Sequence, residues 1–437
     1  MSNTITGTAP AALIAAPGSG SGKSVITAGL ARLHRNAGRK VRIFKFGPDY
    51  LDPMVLERAS GATVYQIHPW MTGEAECRWR LAQAAAEADL VLVESAMGLF
   101  DGDPSSADLA AMTGLPVVPV IDASGMAQTF AAIVHGLATY RDDVRVSGVI
   151  ANRTGSPGHG RMLAGCLPEV TPLLGAVTRS EVMGIPDRHL GIFQADEIEN
   201  LDARLDAMAD ALQEAGLDTL PEAVTLTGEA PPTPSRLLDG VTIGLARDAA
   251  FAFVYPANLE LLAAMGASVQ EFSPLADSAL PDCDALWFPG GYPELYASQL
   301  AANTGMKDAI RAHHQADKPM LAECGGLMYA AQTLTDDDGQ CHEMLGLIDA
   351  DAAMAGKLKG LGVQALDLAD GELRGHTFHH SQLTTEMEPV IHTRRRGGSA
   401  AEAVYQTGAF TGSYFHGYFP SAPEAVASLF RGQARLG

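Results

Sequence analysis

Two stretches of this chain combine residue types at spacings that chemistry requires. Residues 13–24 read LIAAPGSGSGKS, an apolar run that enters a Gly/Ser loop before Gly22-Lys23-Ser24 opens a helix-like segment. Gly18, Gly20 and Gly22 leave room for backbone N–H groups to close around phosphates, and a helix start favours their charge. Lys23 suits the β- and γ-phosphates of ATP, and the Ser24 hydroxyl suits Mg2+. Pro17 stands where the usual pattern has its first glycine, so the loop is a variant. Residues 319–331, PMLAECGGLMYAA, place Cys324 between an apolar run and a helical one. Gly325 and Gly326 permit a sharp strand-to-helix turn that presents the thiol and leaves N–H groups for an oxyanion. A helix start is expected to lower the pKa of that thiol. Gly291, in FPGGYPE (288–294), offers a further oxyanion N–H, and His416, in GSYFHGYF (412–419), can take the thiol proton and return it to a leaving amine.

Two more segments belong with the phosphate loop. KFGPDYLDP (45–53) brings Lys45, Asp49 and Asp52 to a strand end, and VESAMGLFDGD (93–103) brings Glu94, with Asp101 beyond it. Carboxylates gathered beside a phosphate loop suit Mg2+. His376, His379 and His380 lie near Arg374 without acids or thiols at matched spacing, so a polar or structural role is expected there and not a metal site. Cys341-His342 reads as a loop feature.

These residues need elements to position them. Residues 11–16, 41–46, 90–94, 117–121 and 146–150 are short apolar runs that read as buried strands, with helical spacing between several of them, as at 74–88. Strands alternating with helices imply a parallel sheet covered on both faces. After a helix-like stretch at 197–215, residues 227–240, TGEAPPTPSRLLDG, read as a linker. A second series follows, with strands at 241–246, 268–272, 285–290 and 319–324 and helices at 257–265 and 305–315. The expected architecture is α/β, with two doubly wound domains: residues 1–226, P-loop NTPase-like, and residues 241–437, flavodoxin-like.

The bulk numbers restrict partners. A chain of 437 residues fits two domains, and 47% hydrophobic with 19% charged residues fits a globular protein. A formal charge of −21 argues against nucleic acid and anionic membranes, so anionic ligands need local donors. No apolar run approaches a membrane span, and the first ten residues lack the cations of a signal peptide. Five dispersed cysteines without a CxxC pair point to reduced thiols and a cytoplasmic location. A homodimer is the plain expectation for assembly.

Taken together, PGSGSGKS, KFGPDYLDP, VESAMGLFDG, RDAAFAFVYPANLELL (247–262), FPGGYPELYA, AECGGLMY, RGHTFHHS (374–381) and SYFHGYFP resemble the cobyrinic and hydrogenobyrinic acid a,c-diamide synthases over nearly the whole chain. That family joins a dethiobiotin-synthetase-like ATPase domain to a class I glutamine amidotransferase domain. KFGPDYLDP and the FAFVYPANLELL run set it apart from the cobyric acid synthases. The resemblance implies that Cys324 is the glutaminase nucleophile and His416 its base. Tyr418 stands where the wider class has a third, acidic member, in keeping with the family. It further implies Lys23 and Ser24 as nucleotide and Mg2+ ligands, and Asp49 and Glu94 as metal-binding acids. Tyr50, Leu51, Asp52 and Asp101 would handle or activate substrate, and Asn152 would contact adenine.

The implied reaction is ATP-dependent amidation of the a and c acetate side chains of a corrinoid polycarboxylate, through an acyl phosphate, with ammonia drawn from glutamine in cobalamin biosynthesis. Ammonia must escape protonation, so a dry path between the halves is expected. Tyr50, Trp70 and Phe100 offer apolar contacts to a macrocycle. The metal-free hydrogenobyrinic acid is the expected substrate, with cobalt-containing cobyrinic acid as the alternative and a nickel-sirohydrochlorin diamide synthase as a more distant cousin. A reading of another class is a non-enzymatic ATP switch of the partitioning type. Against it stand the Cys324-Gly325-Gly326 elbow and His416.

Overall fold

In a computed structural model of the chain, residues 3–180, 187–188, 191–192 and 194–435 are described. The chain divides into two units, Met1–Pro231 and Pro232–Gly437.

In the first unit the five apolar runs, with two strands at 65–67 and 173–178 that the sequence did not single out, form the sheet: β1 (Thr4–Ala15), β2 (Val41–Phe46), β3 (Tyr65–Ile67), β4 (Leu90–Glu94), β5 (Val117–Asp122), β6 (Val149–Thr154) and β7 (Leu173–Thr178). They lie in the order β3-β2-β4-β1-β5-β6-β7, and every neighbouring pair is parallel. The connecting helices are α1 (Lys23–Asn36), α2 (Leu51–Ser60), α3 (Glu74–Glu87), α4 (Ser106–Thr113), α5 (Thr129–Thr139), α6 (Pro157–Ala164) and α7 (Leu201–Glu214). Because side chains alternate along a strand, Ala12 and Ile14 of β1 pack with α1 and α7, whereas Leu13 and Ala15 pack with α3 and α4. The continuous apolar runs follow from this two-faced burial. Strand β6 starts three residues later than the run at 146–150 suggests, with Val146 making a single bridge to Val117. The stretch read as helical from 197 is helical only from Leu201, after a short 3-10 turn at Ala195–Glu197.

A short antiparallel pair, β8 (Asp187–Arg188) with β9 (Gly191–Ile192), precedes α7. Strand β10 (Ala223–Glu229) pairs antiparallel with the first half of β1, from Thr4↔Glu229 to Pro10↔Ala223. The expected linker is therefore shortened, because residues 227–229 belong to this strand. Two features hold it. The hydroxyls of Thr6 and Thr227 meet at 3.1 Å, and a Cβ on Gly228 would lie 2.4 Å from the backbone N of Trp79 in α3. That close approach needs glycine.

The second unit opens with β11 (Thr242–Ala246), α8 (Pro256–Ala264), β12 (Ser268–Phe272), β13 (Ala285–Phe288), α9 (Ala297–Ala302), α10 (Thr304–Gln315), β14 (Met320–Glu323) and α11 (Gly325–Ala330). Ten further strands follow: β15 (Thr333–Thr335), β16 (Cys341–Glu343), β17 (Ala350–Met354), β18 (Gly360–Leu368), β19 (Gly371–His379), β20 (Ser381–Thr385), β21 (Ile391–Arg395), β22 (Ala400–Thr407), β23 (Phe410–Ser413) and β24 (His416–Gly417), before α12 (Pro423–Phe430). The main sheet runs β12-β11-β13-β14-β23-β22-β21-β18-β19-β24, parallel through β23 and antiparallel beyond it. Strands β16-β15-β17-β20 form a side sheet. Both faces of the main sheet are covered, one around Phe288, Leu327 and Phe410, the other around Trp287, Phe419 and Phe430.

Candidate functional site

Each unit gathers its chemically competent residues at strand ends. In the first, the loop after β1 turns through Gly20 (φ 80°) and Gly22 (φ 94°), conformations that suit glycine, while Gly18 is unhindered. Gly22 is also crowded: a Cβ there would fall 2.2 Å from the Asn152 amide nitrogen. Lys23 begins α1 and folds its amine back over the loop, donating to Gly18 O at 3.3 Å and Met97 O at 2.7 Å. Burial lowers its pKa, against the pull of Glu94.

The acids of β2 and β4 meet around Ser24 and Lys45. The Ser24 hydroxyl donates toward Glu94 Oε1 (2.8 Å) and Asp52 Oδ2 (3.1 Å). Lys45 Nζ donates to Glu94 Oε1 at 2.7 Å, bonds Asp52 Oδ2, and pairs with Asp49 Oδ2 at 3.3 Å. Asp49 turns its other oxygen to the start of α2, accepting from Leu51 N (2.9 Å) and Asp52 N (3.1 Å). Tyr50 is the residue before α2 and Leu51 its first. Burial raises Glu94 to about 7 although Lys45 opposes it, and burial raises Asp49 to about 6, with Asp52 adding to it. Burial also acts to raise Asp52, but Lys45 outweighs it and holds Asp52 down to about 2.

This donor set fits a hard divalent cation, because Ser24, Asp52 and Glu94 converge and the second Glu94 oxygen, Oε2, is buried without a hydrogen-bond partner among the described residues. It is not a preformed cage: among the described residues no three acids, histidines or cysteines stand together ready for a metal. The acids share Lys45 instead, and Asp49 stands behind it. Asp101, from the loop after β4, accepts from Gly98 N at 3.0 Å, and a Cβ on Gly98 would lie 2.6 Å from Pro17 O, so this loop abuts the phosphate loop. The Asn152 side chain is engaged within the protein, donating to Ser21 O at 3.0 Å and accepting from Arg153 N at 2.9 Å. An adenine contact would require it to exchange partners. Arg153, which the sequence did not single out, donates to Gly20 O at 3.0 Å and pairs with Asp122 at 2.7 Å.

In the second unit Cys324 holds a strained backbone, φ 47° and ψ −102°, between β14 and α11. The turn is tight on both sides. A Cβ on Gly326 would lie 2.3 Å from Phe288 O, one on Gly291 2.0 Å from Ala250 O, and one on Gly325 3.0 Å from Gly291 N. The last spacing brings the backbone nitrogen of Gly291 against Gly325. The thiol itself departs from expectation: burial pushes the Cys324 pKa up, and Glu294 adds to the rise. A six-residue helix does not counter that desolvation.

His416 is buried and packed against Gly290, where a Cβ would strike its Cε1 at 2.2 Å. Two bonds tie the chain around His416 to the elbow, one from the end of β23 and one from β24. Cys324 N donates to Ser413 O at 2.8 Å, and Gly417 N donates to Glu323 Oε1 at 2.7 Å. Burial lowers His416 to about 3, so its imidazole is neutral. Its ring stacks on His376 at 4.9 Å and 15°, and His376 Nδ1 is 2.9 Å from the Tyr255 hydroxyl. His379 bonds Ser381 O at 2.9 Å, while His380 lies between β19 and β20 with its ring 5.5 Å from that of Phe378. Sequence reasoning missed Gly290, Tyr255, Glu294 and Glu323. Glu323 had a signal, an acid beside the nucleophile in a run otherwise apolar.

Relatives define the class. Residues 12–192 match the CobQ/CobB/MinD/ParA nucleotide binding domain, and residues 242–424 match the CobB/CobQ-like glutamine amidotransferase domain. The chain is thus a nucleotide-binding domain joined to a glutamine amidotransferase domain. It is 53% identical over 96% of its length to the hydrogenobyrinate a,c-diamide synthase of Pseudomonas aeruginosa, of which it covers 97%. It is 53% identical over 97% of its length to that of Stutzerimonas stutzeri, covering 98%, and 49% identical over 96% to the cobyrinate a,c-diamide synthase of Herminiimonas arsenicoxydans, covering 96%. This chain belongs to the a,c-diamide synthase family. No helix among the described residues is long and apolar enough to cross a membrane.

Proposed function

We propose that this chain is an ATP-dependent ligase that converts the a and c acetate carboxylates of a corrinoid to amides with ammonia from glutamine, and that its substrate is the metal-free hydrogenobyrinic acid. The observation that carries the reading is the presence, in one chain, of the strained Cys324 turn, with Gly325 packed on Gly291 and His416 packed on Gly290, and of the Lys23 loop with acids around Ser24. A partitioning switch uses the second and has no use for the first.

The chemistry divides accordingly. Neutral His416 takes the Cys324 proton as sulfur attacks the glutamine carboxamide, and gives it to the departing ammonia. Gly291 and Gly325 N–H groups stabilise the oxyanion, and water then hydrolyses the glutamyl thioester. At the other site the γ-phosphoryl group of ATP passes to a substrate carboxylate, giving an acyl phosphate and ADP. Ammonia adds to the acyl carbon and phosphate leaves. Lys23 moves from its loop carbonyls to the phosphates, and Lys45 orients the acids. Ser24 and Glu94 would hold Mg2+, with Asp52 better placed than Asp49 to join them; the ion would offset phosphate charge. A cytoplasmic, homodimeric enzyme fits this chemistry.

The cobalt-containing substrate remains a second reading because the Herminiimonas relative carries that name. Incubation with Mg-ATP, glutamine and either macrocycle, followed by product mass, separates them. Two successive acid-to-amide changes are expected, faster with hydrogenobyrinic acid, absent in Lys23→Ala and restored by ammonia in Cys324→Ser. Glutamine hydrolysis without a mass change on either macrocycle would remove the corrinoid assignment.

A further inference from the structure

We propose that Glu323 is a positioning residue of the glutaminase site, fixing the His416 backbone against the strand end that presents Cys324. The inference rests on the reading of Cys324 and His416 as nucleophile and base.

Pairing of β14 with β23, and the Cys324 N–Ser413 O bond, reach the chain only as far as three residues before His416. Strand β14 has its ladder neighbours in β13 and β23, whereas β24 is paired with β19, through Gly375↔Gly417 and His376↔His416. Among the described residues no ladder joins β14, which ends at Glu323 just before the nucleophile, to β24, which holds His416. Glu323 spans that gap from the residue before the nucleophile to the residue after the base. Its Oε1 accepts from Gly417 N at 2.7 Å, and its Oε2 accepts from Trp287 Nε1 at 2.8 Å. Asn258 holds the other side of the same residue, donating to Gly417 O at 2.9 Å and accepting from Phe419 N at 2.8 Å. The two peptide groups flanking Gly417 are thereby fixed, and His416 can move little without breaking one of these bonds.

The chemistry of the partners explains the residue type. Backbone N–H and indole N–H only donate, so each side-chain oxygen must accept. A carboxylate does this; an amide of the same shape must turn its NH2 toward one of the donors. Glu323 is buried, with both oxygens on neutral groups, an arrangement that is costly for a carboxylate. Packing alone would be served better by an apolar side chain. Two acceptors at one point are what the acid supplies.

The test uses full-length Glu323→Gln and Trp287→Phe, with Cys324→Ser as reference. Glu323→Gln is expected to lower kcat for glutamine hydrolysis about ten- to a hundredfold, as loss of a charged hydrogen bond predicts. KM for glutamine should stay within about twofold, and amidation driven by added ammonia should be unchanged. Trp287→Phe keeps the Gly417 bond and should leave kcat within about threefold. If Glu323→Gln does not fold, Glu323→Asp is compared with Trp287→Phe in the same way. Wild-type kcat in the Glu323 variant overturns the proposal. So does an equal loss in Trp287→Phe, or a parallel loss of ammonia-driven amidation, since each would mark Glu323 as core packing. Glutamine hydrolysis surviving in Cys324→Ser would instead remove the reading beneath it.

Discussion

At the scale of single residues, the second unit depends on what is absent as much as on what is present. Gly290 has no Cβ, and His416 occupies the space a Cβ would need. Gly290→Ala should therefore displace the imidazole. We expect glutamine-dependent turnover to fall about tenfold or more while ammonia-driven amidation persists, measured side by side. A histidine of the first unit carries a pH signature. Burial, aided by Arg39, lowers His34 to about 4, and its Nδ1 lies 2.6 Å from the Arg39 guanidinium. A depressed histidine leaves the unfolded chain with more protons as pH falls from about 6.5 to about 4, so its contribution to stability is lost across that window. Urea midpoints should then favour His34→Gln, relative to the natural chain, more at pH near 4.5 than near 7.5. The turns that present Cys324 and Lys23 were readable because glycine spacing announces a backbone shape. Glu323 and Tyr255 were not, because their roles arise from partners far along the chain.

At the scale of elements, local pattern served the first unit better than the second. Strands buried on both faces read as continuous apolar runs, so β2 and β4 match their runs end to end. Strands β18 and β19 alternate poorly, with burial broken by half-exposed positions, and the RGHTFHHS segment looks polar although it lies in β19 and reaches β20. Helix α4 illustrates a local signal that can be tested alone. Ser105 Oγ accepts from Asp108 N at 3.3 Å, and Asp108 Oδ2 accepts from Ser105 N at 2.8 Å. Ser105→Ala should cost about 1 kcal/mol in chemical denaturation without altering glutaminase activity. Helix α7 is latched by side chains instead: Arg32 of α1 pairs with Asp206 at 2.6 Å and Asp202 at 3.2 Å. Such long-range pairing leaves no trace in local spacing.

At the scale of the whole molecule, both units were legible as α/β layers because strand and helix periods alternate along the chain. The division was placed at 227–240 because proline and small polar residues mark linkers, but antiparallel pairing of β10 with β1 carries the first unit on to Glu229. Arg236 is exposed in the stretch between β10 and β11. Brief trypsin treatment of the folded protein should cut there first and yield two resistant fragments, visible by intact mass. Nucleotide linkage offers a second check: ATP with Mg2+ should raise the melting temperature, and Lys23→Ala should abolish the rise.

The β1–β10 pairing has a consequence for synthesis. A ribosome delivers β1 first and β10 only after every other strand of that unit. Until then the leading half of β1 lacks its antiparallel neighbour, and the loop that follows it hangs from a half-anchored strand. Vectorial folding of this unit is thus completed by its last strand, with an open edge exposed to nascent-chain chaperones in the interval.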